Sequence, residues 1–78
     1  MVCQVYLTMP EPKLSNRLRD LRSERRITQA TLAERVGVSR QSINYIEQGT
    51  YAPSVTLALR IAGEFGVQVE DIFTLGEE

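Results

Sequence analysis

Histidine and tryptophan are missing from the 78 residues, and cysteine occurs once, as Cys3. Without histidine the commonest general base is gone, and the one thiol has no base beside it, so acid–base and nucleophilic catalysis have little to be built from. CxxC, HExxH, GxGxxG and P-loop spacings are also missing. No catalytic residue, metal site or cofactor is expected. Carboxylate-only metal ligation at Glu70, Asp71, Glu77 and Glu78 is conceivable, but those residues read as a solvated acidic end. A lone cysteine closes no internal disulfide, which sets the chain apart from small secreted folds held by several. No apolar run approaches the roughly 18 residues of a transmembrane helix. The opening MVCQVYLTMPEPK lacks the basic start of a signal peptide. The expected setting is the cytoplasm, with no membrane partner.

What is present is an ordinary globular composition, 42% apolar and 24% charged, in a length that suits one domain. The net charge of -1 hides a division along the chain. From Lys13 to Arg40 there are eight basic residues against three acids, a local excess of +5; from Gln41 to Glu78 there is one basic residue, Arg60, against six acids, or -5. Glu11 accounts for the rest. The two halves face different partners, or one faces a partner and the other faces water.

Val2 to Thr8 (VCQVYLT) is short and rich in β-branched and aromatic residues, which suggests a strand. Pro10 and Pro12 then block helix and sheet ladder alike, so residues 1–12 form an extension, a possible strand or dimerisation arm, ahead of a domain over 13–78. Leu14, Leu18 and Leu21 recur at helical spacing with arginines between them, predicting a first helix over Leu14 to Arg25. Thr28 offers an N-cap to a second helix, Gln29 to Val36, which Gly37 ends. Ser39 caps a third, Arg40 to about Gln48, from which only Ile43 and Ile46 point inward. Ser54 caps a fourth, Val55 to Phe65, with Val55, Leu59, Ile61, Ala62 and Phe65 as its apolar positions. Glu70 to Phe73 reads as a short fifth, with Leu75 as a further apolar contact.

Counted from Gln29, the second and third helices satisfy a demanding pattern. Ala33 stands at the fifth position, Gly37 at the ninth, and Val38, Ile43 and Ile46 at the tenth, fifteenth and eighteenth. Two helices crossing steeply through a short turn exclude a large side chain at Ala33. The chain reverses at Gly37 with a positive φ that glycine adopts cheaply. A generic helical hairpin would need the same apolar residues, but not the opposite face, where Arg40, Gln41, Asn44 and Tyr45 point outward. Arginine can donate two hydrogen bonds to guanine, glutamine can pair with adenine through two, and tyrosine supplies contact area and a hydroxyl. That face is suited to reading bases.

Over Asn16 to Phe73, NRLRDLRSERRITQATLAERVGVSRQSINYIEQGTYAPSVTLALRIAGEFGVQVEDIF, the chain resembles the phage-repressor and Cro-like helix-turn-helix regulators, the xenobiotic response element family. The resemblance implies an all-α, compact five-helix fold, with the short N-terminal strand as an addition. It also implies transcriptional regulation by a homodimer on a palindromic site in double-stranded DNA. Arg40, Gln41 and Tyr45 match the family's base readers, and Asn44 and Ser42 can contact base or phosphate. Gln29 matches a glutamine that bonds a phosphate and braces the recognition helix. The expected phosphate-contacting set is Arg17, Thr28, Gln29, Ser39, Ser42, Thr50 and Tyr51. The resemblance also pairs Arg22 of the first helix with Glu47 as a structural ion pair. The departure from the family lies in residues 1–12, a strand that could pair in a second subunit with its own copy or with the tail near Phe73 to Leu75. The alternative reading is an antitoxin-like or adaptor module whose acidic residues Glu64, Glu70, Asp71, Glu77 and Glu78 bind a protein partner of unknown identity.

Overall fold

The computed structural model describes residues 14–75, and they form five helices and a two-stranded sheet. Strand β1 (Leu14–Asn16) leads into α1 (Leu18–Glu24), α2 (Gln29–Val36), α3 (Arg40–Gln48), α4 (Val55–Phe65) and α5 (Val69–Ile72), and strand β2 (Phe73–Leu75) closes the order. The strand expected over Val2 to Thr8 lies outside the described residues. No helix among them is long and apolar enough to cross a membrane.

The expected first helix is shortened from its front. Leu14 to Asn16 is a strand, antiparallel to β2, with Leu14 opposite Leu75 and Asn16 opposite Phe73. Leu14 does pack against the core, but it does so from a sheet. Asn16 makes the break: its Oδ1 accepts from the Leu18 N–H at 3.1 Å, and its Nδ2 donates to the Ile46 carbonyl at 2.9 Å. One side chain thus serves the start of α1 and ties it to α3. The tail at Phe73 to Leu75, one of the two partners expected for residues 1–12 in a second subunit, has one edge already paired within its own chain. Leu75, expected to add an apolar contact, is an exposed strand residue.

The remaining starts and stops follow from single residues. Thr28, Ser39 and Ser54 hold extended backbone conformations, and each hydroxyl accepts an N–H three residues on, from Thr31, Ser42 and Leu57. Gly37 has φ +81°, a region where a Cβ would strain the backbone. Its N–H and that of Val38 both return to the Ala33 carbonyl, making the turn between α2 and α3 as short as the spacing demanded. The fifth helix spans Val69–Ile72, and the Asp71 carboxylate accepts from the Gln68 N–H at 2.9 Å.

Every helix contributes at least one side chain to a single core. Leu18, Leu32, Ile43, Ile46, Ile61 and Ile72 are its largest fully buried members. Ala33 is buried where α2 meets α3, and Val38 packs against the core's edge. On α4 the inward residues are Leu57, Ala58, Ile61, Ala62 and Phe65. Val55 and Leu59, read from the sequence with the apolar positions of that helix, face outward at 76% and 58% exposure. A groove of about 680 Å³ runs beside them, lined also by Leu14, Val69 and Phe73.

Candidate nucleic-acid interface

Helix α3 shows two faces with different jobs. Ile43 and Ile46 are buried, so one side is fixed in the core. Arg40, Gln41 and Tyr45 are exposed and Asn44 is half-buried, placing the four expected base readers together on the outward side. Among the described residues Arg40 has no carboxylate partner. Gln41 and Tyr45, one helical turn apart, are joined: the Gln41 amide donates to the tyrosine oxygen at 2.9 Å.

Behind this face lies a polar cluster linking three helices. Arg22 of α1 donates to both oxygens of Glu47, from Nε at 2.6 Å and Nη2 at 3.1 Å, and through Nη1 to the Ile27 carbonyl at 3.0 Å. The Glu47 side chain is 1% exposed and that of Arg22 15%. Gln29, first residue of α2, donates from Nε2 to Glu47 Oε1 at 3.0 Å and to Asn44 Oδ1 at 3.2 Å. The carboxylate therefore receives three hydrogen bonds, and α3 is clamped about its own axis as well as by its apolar seam.

These commitments redistribute the expected phosphate contacts. Both amide hydrogens of Gln29 point into the protein, so a phosphate there would meet its backbone N–H at the helix N-terminus. Thr28 accepts from the Thr31 N–H and donates to Thr31 Oγ1 at 3.0 Å, which leaves the Thr31 hydroxyl hydrogen free to point away. Thr31 was not among the residues singled out from the sequence, although the cap that positions its hydroxyl was legible. Ser39 and Ser42 repeat the arrangement at the start of α3, their hydroxyls 3.0 Å apart. Thr50 sends both its N–H and its hydroxyl to the Tyr45 carbonyl, closing α3. Tyr51 is exposed beyond that closure, and Arg17 is exposed at the start of α1, its N–H bonded to the Ile72 carbonyl.

The basic excess is also partly consumed inside the molecule. Arg22 is bound to Glu47, Arg35 pairs with Glu64 at 3.2 Å, and Arg25 lies over the Phe65 ring, 5.6 Å from its centre. Arg17, Arg19, Arg26 and Arg40 are exposed without a carboxylate partner among the described residues.

Two packed helices joined at a left-handed glycine, the second presenting polar side chains outward, define a helix-turn-helix. The helix-turn-helix family profile matches residues 18–72, and the chain belongs to that family of DNA-binding transcriptional regulators. It is 50% identical over 60 residues, 77% of this chain and 91% of the other, to an uncharacterised HTH-type transcriptional regulator of Methanocaldococcus jannaschii. It is 38% identical over 65 residues to the immunity repressor protein of Bacillus phage phi105, covering 83% of this chain and 44% of the repressor. In fold it is similar to a candidate DNA-binding protein from Bacteroides fragilis, with a TM-score of 0.71 at 23% identity over 78% of this chain and 98% of that one. These relatives are named as regulators and DNA-binding proteins, not as enzymes.

Proposed function

We propose that the protein regulates transcription as a homodimer on an inverted repeat in double-stranded DNA, with α3 of each subunit in the major groove. The observation that carries this is the outward face of α3. Arg40, Gln41, Asn44 and Tyr45 contribute nothing to the core, yet they stand on a helix fixed by two buried isoleucines and a buried ion pair. Side chains with matched hydrogen-bonding groups on a rigid helix are what base-edge reading requires. Arg40 suits guanine and Gln41 suits adenine. This reading assigns phosphate contacts to Arg17, the N-termini of α2 and α3, the hydroxyls of Thr31 and Ser42, and Tyr51.

The size of the reading head supports a dimer. Nine residues at 1.5 Å each make α3 only about 13 Å long, enough for roughly four base pairs. Two such helices about 34 Å apart read two half-sites one helical turn apart. The groove beside Val55 and Leu59 supports self-association, because it is apolar and, among the described residues, carries Glu70 as its single charged lining residue and includes no residue of α2 or α3. A second copy seated there leaves both recognition helices uncovered.

The test is selection of binding sites from random duplex DNA, followed by a salt titration on the selected site. An inverted repeat and a linear fall of log K with log salt are expected. Failure to enrich any sequence over repeated rounds would overturn the reading.

A further inference from the structure

Gln41 and Tyr45 were both expected to read bases; the geometry points to a single reading unit, and we infer that Tyr45 is the positioning residue that fixes how Gln41 reads one A·T pair. This rests on the proposal that α3 faces the major groove and adds to it the identity of one base pair and the side chain that enforces it.

An exposed glutamine has two weaknesses as a reader. Its side chain is flexible, and its amide can present oxygen and nitrogen in either order, so that one orientation suits adenine and the flipped one opposes it. In the bidentate arrangement the amide oxygen accepts from adenine N6 while the amide nitrogen donates to N7. Here the Gln41 Nε2 already donates one of its two hydrogens to the Tyr45 hydroxyl oxygen at 2.9 Å. In this orientation the nitrogen lies on the Tyr45 side of the amide, and the oxygen and the second N–H are available. The remaining pair is one acceptor and one donor, the complement of the adenine edge. The tyrosine oxygen, having accepted, keeps its own hydrogen free to donate.

The geometry of the helix makes the arrangement durable. Residues four apart lie on one face, a turn from each other. Behind Tyr45 its backbone carbonyl accepts from both the N–H and the hydroxyl of Thr50, so the phenol projects from a closed turn rather than a frayed end. Neither side chain is buried, and Tyr45 is 43% exposed, so removing the hydroxyl leaves the core untouched. Asn44, the neighbour that could compete for the amide, is engaged from the other side by Gln29.

The experiment is binding-site selection with the full chain in four forms: wild type, Gln41→Ala, Tyr45→Phe and the double variant. The wild type is expected to select an A·T pair in each half-site. Preference there should fall in Gln41→Ala, and should fall at the same position, by roughly five- to tenfold, in Tyr45→Phe, while other positions keep theirs. The double variant should be no worse at that position than Gln41→Ala, because the hydroxyl acts through the amide. An unchanged urea midpoint for Tyr45→Phe separates this from damage to the fold. The inference is overturned if Tyr45→Phe retains the wild-type preference, if its loss falls at a different base pair, or if the position lost in Gln41→Ala was not A·T. If the wild type itself selects no sequence, the reading of α3 falls too, so the two failures are distinguishable.

Discussion

Glu47→Ala is expected to remove a large share of the stability of the domain. The Glu47 carboxylate is 1% exposed and accepts two hydrogen bonds from Arg22 and one from Gln29. Truncating it leaves the Arg22 guanidinium, 15% exposed, with the Ile27 carbonyl as its remaining partner, and leaves Gln29 with Asn44 alone. Breaking a buried pair from one side costs about 3 to 5 kcal/mol, since the surviving charge stays desolvated. The partial exposure of Arg22 places this case toward the lower figure, about 3 kcal/mol. A chain of 78 residues has a stability of about 4 to 12 kcal/mol. With a urea slope near 1 kcal/mol per molar, the midpoint should fall by about 3 M, read from helical circular dichroism. Arg22→Met should cost a similar amount by stranding Glu47. The combination of Arg22→Met with Glu47→Leu should recover at least about 1 kcal/mol over either single variant, because no buried charge remains. A loss below about 1 kcal/mol for Glu47→Ala, or a double variant as unstable as the sum of the singles, would refute the reasoning.

Four other outcomes are expected. Arg40→Ala should weaken binding to the best site by about 1 to 3 kcal/mol in fluorescence anisotropy and relax selection at one base pair per half-site. Gly37→Ala should cost about 1 to 2 kcal/mol in thermal unfolding through backbone strain alone, since the nearest side-chain atom to the added Cβ, Arg60 Nη1, is at 3.5 Å, an ordinary contact distance. Leu59→Asp should shift sedimentation to monomer while leaving the helical signal intact, because Leu59 is exposed beside the apolar groove. Ser39→Ala should lose about 1 kcal/mol by removing the hydroxyl that receives the Ser42 N–H, again by urea denaturation.

The order of helices was legible because its signals are local. Thr28, Ser39 and Ser54 each act on an N–H three residues away, and Gly37 acts on its own dihedral angle, so neither kind of signal depends on distant chain. The sheet was not legible, because β1 and β2 meet across the whole domain and Leu14 shares a helical spacing with Leu18 by coincidence. Only the two hydrogen bonds of Asn16, one of them to Ile46 thirty residues on, show why the helix starts late. On α4 a run of apolar residues did not reveal which of them face water. Val55 and Leu59 look the same in sequence as Leu57 and Ile61, and their difference emerges only from the packing. Within the candidate interface the grouping of Arg40, Gln41, Asn44 and Tyr45 could be read from helical periodicity. The engagement of the Gln29 amide and the joining of Gln41 to Tyr45 could not, since each depends on side-chain geometry.

The central claim, that α3 reads bases from the major groove in two symmetric half-sites, is tested most directly by methylation interference on the selected site. Dimethyl sulfate places a methyl group on guanine N7 in the major groove and on adenine N3 in the minor groove, so one reagent probes both. The account predicts that N7 methylation blocks binding at guanines in two clusters about one helical turn apart, and that Arg40→Ala loses its sensitivity at one guanine in each cluster. Interference confined to adenine N3, or a single cluster without a symmetric counterpart, would contradict it.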